Sequence, residues 1–474
     1  MARARIAALR TLLATAAVAA LAVPPSLAAQ QAGDSVLVAG YRAAADRIIA
    51  AATADSAAWQ RLAELTDRFG NRLSGSPSLE RALDWVLERM RADGLENVHG
   101  ERAMVPHWVR GSESLELVEP RAARLPMLGL GGSIGTPPGG ITAPVLVVSD
   151  TNDLAAHAAE ARGKIVLFDA PYVNYGVTVQ YRWAGAIWAA RAGAVAALLR
   201  SVSPFEMRQP HTGVMSYDST VRRIPYAAIS IEDAAMLHRM QARGQPVVVT
   251  LTMAAQTLPD APSRNVIGEL RGRERPDEVV VVSGHMDSWD VGTGAMDDGG
   301  GVVVAWEAVR VLQRLGLRPR RTIRVVGWTN EENGARGGQA YRDAHASQLA
   351  DHDLAIESDG GVFRPTGFGF TGSDSAFATV RQIGRLLASI GADTITKGGG
   401  GTDIGPIMQR GVPGMGLNDD GTRYFWYHHS DADTVDKLDP REMAKCVAAM
   451  AVMAYVVADL PAKLPRGGVP PAEE

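Results

Sequence analysis

Between residues 34 and 100 apolar side chains recur at spacings of three and four, at Ile48, Ile49, Leu62, Leu65, Leu83, Val86, Leu87 and Met90, which predicts helices. Gly70-Asn71-Arg72-Leu73-Ser74-Gly75-Ser76 breaks that period and predicts a loop. After Pro106-His107-Trp108 the pattern shortens to β-branched runs at 143–148 and 164–168, an alanine-rich helix between Ala184 and Ala197, and further runs at 195–199, 224–229 and 246–252. The glycine- and proline-rich stretch Gly129 to Gly140 predicts a boundary loop. That middle portion has apolar runs but almost no convergent polar residues.

From Asn265 the pattern changes. Val279-Val280-Val281-Val282 is uniformly apolar, as a strand buried on both faces would be. Further strands are expected at 321–328, 354–356 and 412–417, with helices at 299–315, 337–345, 376–390 and 403–410. Strands alternating with helices predict an α/β fold with a mostly parallel, doubly wound sheet. The expected organisation is a discontinuous main domain, 29–118 and 257–460, with a smaller α/β insert at 119–256. Cys446 to Leu460 is expected to be a core-facing helix, and the tail from 461 is expected to fray.

Composition narrows the function. The 474-residue chain is 46% hydrophobic and 21% charged, which excludes a largely disordered protein. A net charge of −4 and the lack of any basic block argue against nucleic acid as a partner. The single cysteine, Cys446, excludes internal disulfides and thiolate metal clusters. Arg3, Arg5 and Arg10, then an apolar run from Leu12 to Val23 and a small-residue site near Ala28, read as a signal for export, residues 1–28. That run is shorter than the roughly 20 residues a bilayer span needs, so no membrane span is expected in the mature chain. Its destination is the periplasm or the medium.

The chemistry gathers at the predicted strand ends. The first ends in Gly284-His285-Met286-Asp287-Ser288-Trp289-Asp290, and Asp297-Asp298-Gly299-Gly300-Gly301 opens the following helix. Later strands end in Asn330-Glu331-Glu332-Asn333-Gly334 and Glu357-Ser358-Asp359-Gly360-Gly361, and the fourth is followed by Tyr427-His428-His429-Ser430-Asp431. Imidazole and carboxylate ligands without thiolate suit borderline divalent cations at an open, catalytic site. Two histidines and three or more acids exceed one tetrahedral ion. They suit two ions about 3.5–4 Å apart, bridged by a carboxylate and a water. Asp297 is the natural bridge, because glycines beside it let backbone approach. Asp287 can take the second ring N–H of His285 and orient it. Adjacent Glu331 and Glu332 point apart, so one can bind metal while the other serves as base. His99, His107, His157, His211, His238, His345 and His352 lack such company and are expected to be surface or structural.

In this order, His285, Asp297, Glu331-Glu332, Asp359 and His429, the chain resembles the co-catalytic dizinc exopeptidases of the bacterial leucyl aminopeptidase and glutamate carboxypeptidase kind. The likeness spans residues 40–460. It implies two Zn2+, with Co2+ or Mn2+ as substitutes. One would be held by His285 and Asp359, the other by Glu332 and His429, with Asp297 as bridge and a cis peptide bond to Asp298. It further implies Glu331 as general base and Asp287 as the group that orients His285. The insert would resemble a protease-associated domain, the substrate would be a peptide or dipeptide, and a homodimer is implied. Thr402, Asp403 and His428 are weaker candidates for substrate contact; the glycine run before Thr402 equally suits a flexible helix entry. The resemblance leaves open a dipeptidase and an aminopeptidase acting on longer peptides. A one-zinc glutaminyl cyclase-like acyltransferase and a metal-free binding protein are the remaining alternatives.

Overall fold

The computed structural model describes residues 35–466. The expected export signal and residues 467–474 lie outside them. Two eight-stranded sheets organise the chain. Across the first, the order is Glu96–Val109, Gln256–Leu270, Arg321–Trp328, Arg275–His285, His352–Glu357, Gly414–Asp419, Pro365–Thr371 and Thr394–Lys397. Its centre is parallel: Arg275–His285 pairs in parallel with both neighbours, and His352–Glu357 with Gly414–Asp419. The flanks are antiparallel, because Gln256–Leu270 runs against Arg321–Trp328 and Pro365–Thr371 against Gly414–Asp419. The sheet is therefore mixed at its edges and parallel where the polar motifs sit.

The valine run shows why this strand is central. Successive side chains point to opposite faces. Val280 and Val282 join the core under Gly300–Arg314 and Pro440–Asp459, while Val279 and Val281 join the core around Tyr341, Ile404 and Ile407. All four are buried, and each contributes roughly 1.5–3 kcal/mol.

Three expectations shift. The helical region ends earlier than 100: helices Val36–Thr53, Ala57–Phe69 and Pro77–Ala92 give way to the strand Glu96–Val109. That strand makes a long antiparallel pair with Gln256–Leu270, a partner some 160 positions away that no local pattern announces. The second sheet takes in Glu113–Glu119, ahead of the expected boundary at 119, and ends at Val248–Met253. Its parallel centre is Ile141–Val148, Ile165–Phe168, Ala196–Arg200 and Tyr226–Ile229. Finally, residues 461–466 are tied down: Leu464 is buried, its N–H donates to Asp353 at 2.7 Å, and Arg466 donates to the carbonyl of His352. Asp353, buried in the strand His352–Glu357, is the partner that holds this part of the tail.

Candidate metal centre

Open α/β sheets build their sites beyond the carboxyl ends of the parallel strands. His285 ends Arg275–His285, and Asp297 and Asp298 lie in the turn Ala295–Gly299 that enters Gly300–Arg314. Their shared peptide bond is cis. Glu331 and Glu332 follow Arg321–Trp328, Asp359 follows His352–Glu357, and His428 and His429 follow the short helix Tyr424–Tyr427.

Asp297 divides its carboxylate between two groups. Its Oδ1 lies 3.2 Å from His285 Nε2, which is itself 3.3 Å from Asp359 Oδ1. Its Oδ2 lies 3.2 Å from His429 Nε2, which is 2.9 Å from Glu332 Oε2. The His428 ring stacks on His429, with centroids 3.5 Å apart, and places Nε2 3.5 Å from the same Oδ2. Ligand atoms of His285, Asp297 and Asp359 fall within 4.8 Å of one another, as do those of Asp297, His428 and His429.

The donor chemistry fits divalent cations. Asp297 Oδ2 and Glu332 Oε1 are buried with no hydrogen-bond partner. Burial pushes Asp298 and Glu331 well above the usual carboxylate range, and Glu332 up to about 7. Burial opposes charge on His429, yet Glu332 and Asp297 push it up to about 10. Crowded buried anions that lack donors and face imidazole nitrogens are the surroundings a divalent cation stabilises.

The supporting contacts correct one expectation. The ring Nδ1–H of His285 donates to the backbone carbonyl of Asp287 at 2.9 Å, not to its carboxylate. That carboxylate accepts instead from the backbone N–H groups of Glu331 at 3.0 Å and Glu332 at 3.3 Å, and from Ser74 Oγ at 3.2 Å. Two residues from His285, the side chain is better placed to hold the neighbouring strand's turn than to reach back. Asp298 accepts from the N–H of His285 at 2.9 Å and of Gly301 at 3.0 Å, tying strand end to helix start.

Several positioning residues escaped the sequence reading. Asp433 accepts from the N–H groups of Ala295, Met296 and Asp297, so it shapes the turn carrying the bridge. Arg72 is fully buried and donates to the carbonyls of Met286, Thr293, Gly294 and Gly70. Its only advance signal was the break at 70–76. Asp433 stood in the quoted Tyr427–Thr434 neighbourhood without a role. Of the weaker candidates, Thr402 is exposed. Asp403 is fully buried with both oxygens unpartnered, and burial with the charges of Glu357 and Glu331 holds its carboxyl well above its ordinary value.

Fold and centre together define a peptidase-type α/β protein with a metal-binding crevice, and the comparisons agree. The profile of Peptidase family M28 matches residues 265–454. Carboxypeptidase Q of Mus musculus is 49% identical over 408 residues, covering 86% of this chain and 87% of that protein. The crystal structure of a peptidase M28 precursor from Shewanella amazonensis SB2B superposes with a TM-score of 0.87 at 35% identity, over 91% of this chain and 99% of that one. A zinc aminopeptidase from Bacillus subtilis shares the fold, with a TM-score of 0.64 at 21% identity over 86% of this chain and 96% of that one. The chain belongs to peptidase family M28.

Proposed function

We propose that this chain is an exported, zinc-dependent exopeptidase of the carboxypeptidase Q type, hydrolysing dipeptides or short peptides. The observation that carries this reading is the divided carboxylate of Asp297, one oxygen toward His285 and Asp359 and the other toward His429 and Glu332. His285 and Asp359 would hold one cation, Glu332 and His429 the other, and Asp297 both. Two such cations supply Lewis acidity, polarising the scissile carbonyl and acidifying water.

Glu331 is the base. Its carboxylate accepts none of the hydrogen bonds found among the described residues, and Asp287 fixes its backbone through the 3.0 Å bond. Glu331 takes one proton from the attacking water as the new C–O bond forms. It returns that proton to the departing nitrogen as the C–N bond breaks, so the carboxylate is regenerated. The 49% identity with carboxypeptidase Q, over 86% of this chain and 87% of that protein, supports the carboxypeptidase Q-type reading over a broad aminopeptidase. The leader-like pattern of residues 1–28 supports export.

The test uses matched free, N-acetylated and C-amidated dipeptides and a longer peptide, with and without chelator. Chelator-sensitive cleavage confined to free dipeptides is expected. Cleavage that tolerates a C-terminal amide or a longer chain but needs a free amine would make the protein an aminopeptidase. No cleavage with zinc restored would overturn the peptidase reading.

A further inference from the structure

His429 depends on the second sheet in a way that His285 does not. The ring of His285 is oriented from within its own loop, by the carbonyl two residues on. His429 instead has left-handed backbone, φ 58°, a conformation a non-glycine residue holds only when its surroundings over-determine it. Those surroundings are the segment 211–213, which belongs to the second sheet's part of the chain.

That segment touches the histidine loop at three atoms. The N–H of Thr212 donates to the carbonyl of His429 at 2.9 Å. His211 Nδ1–H donates to the carbonyl of His428 at 2.6 Å. The carbonyl of Thr212 lies 3.3 Å from His429 Nδ1 and, because a carbonyl only accepts, it favours a proton on Nδ1 and an Nε2 lone pair toward Asp297 and Glu332, while Arg182 Nη1 lies 3.4 Å from the same nitrogen. Arg182 donates to that same carbonyl at 3.3 Å and to Tyr175 Oη at 2.7 Å.

The segment is itself anchored. Thr212 Oγ1 donates to the carbonyl of Gly129 at 2.9 Å and accepts from Arg110 at 3.3 Å. Arg110 Nε also donates at 2.9 Å to Asp290, in the loop that carries His285. Gly213 has φ 134°, a conformation that side chains rarely adopt, and a Cβ there would stand 2.4 Å from the Arg182 guanidinium.

We propose that 211–213 is a positioning strap for one of the two cations only, the one assigned to His429 and Glu332, with His211 and Thr212 as its positioning residues. The proposal rests on the two-cation reading above. Among the described residues no hydrogen bond runs from 211–213 to His285 or Asp359; the strap reaches that side only indirectly, through Arg110 and Asp290. Docking of the second sheet's region thus sets the affinity of one cation and, through His429, the geometry of the bridge.

The experiment titrates the full, metal-free chain with Zn2+ against a chromophoric chelator and records the electronic spectrum of the Co2+-loaded protein. The wild type is expected to bind two ions. His211→Ala is expected to keep the first dissociation constant and weaken the second about 10–100-fold, the usual effect of removing an outer partner, with a changed spectrum for the second Co2+ alone. His211→Asn, whose amide can donate from the Nδ1 position, restores most of the affinity. Thr212→Val keeps the backbone contacts but frees the anchor, and should weaken the second ion to a smaller extent even if His211→Ala fails to fold. Unchanged affinities, or equal weakening of both ions, overturn the strap. A wild type that binds fewer than two ions overturns the two-cation reading instead.

Discussion

Glu331 and Glu332, chain neighbours to which the proposed mechanism gives different tasks, both donate their backbone N–H groups to the Asp287 carboxylate. Glu331→Gln keeps the shape and removes the proposed base. Hydrolysis should fall about 10²–10⁴-fold while bound zinc, measured by elemental analysis, stays at the wild-type level. Retained hydrolysis would move the base elsewhere. Asp287→Ala removes the acceptor for both N–H groups and is expected to lower kcat more than it raises KM. Asp287→Asn, which keeps one oxygen, should fall between the two. Equal kinetics for all three would show that the turn needs no support.

At the scale of elements, the centre stands where separate loops are stitched together. Arg72 spends its side-chain donors on three carbonyls of the loops around Met286 and Gly294 and on that of Gly70 in its own loop. Arg72→Met leaves those carbonyls buried without partners, a loss of about 1–3 kcal/mol for each one that water cannot reach, so a clear drop in the denaturation midpoint together with lowered zinc content is expected. Trp289 sets a second joint. It packs edge-on to both Trp108 and His429, and its six-membered ring abuts Gly131, where a Cβ would stand 1.9 Å from it. Gly131→Ala should therefore displace the indole and destabilise the chain by about 1–3 kcal/mol, read as a shift in chemical denaturation. An unchanged midpoint would mean that the ring moves aside without consequence.

For the molecule as a whole, the buried acids make stability depend on cations and on pH. Removing metal leaves Asp297, Glu332 and their neighbours facing one another, so chelator should lower Tm, and added Zn2+ should restore it with the logarithmic dependence of a ligand that binds only the folded chain. Away from the centre, burial holds His352 down to about 4, neutral between Tyr341 Oη at 2.8 Å and the carbonyl of Gln348 at 3.0 Å. Its folded pKa lies below its unfolded value of about 6.5, so the unfolded chain binds the extra proton. Stability should then rise with pH from about 4 to 6.5 and level off, by up to about 3 kcal/mol for one such group. His211, also held to about 4, adds to that slope, whereas Glu206, pushed up to about 8 by burial, acts against it above about pH 4.5. His352→Gln should flatten the slope in thermal melts at pH 4.5 and 7. An unaltered slope would assign the acid sensitivity to other groups.

The alternation of apolar runs with helical periods was enough to place the parallel centre of the first sheet, because Val279–Val282 and its neighbours carry their burial in local composition. The polar motifs were legible for a related reason: His285, Glu331-Glu332 and Asp359 stand at or just beyond strand ends, with Asp297-Asp298 and His428-His429 in the segments that follow, and chain order brings strand ends together in an open α/β sheet. The antiparallel edge, the docked segment 461–466 and the carboxylate of Asp287 were not legible, since each is defined by a partner far along the chain. Which oxygen of Asp297 faces which histidine, and which backbone holds His429 in left-handed conformation, are likewise set by contacts across the fold. Sequence period fixes which face of an element is buried; only packing fixes what that face meets.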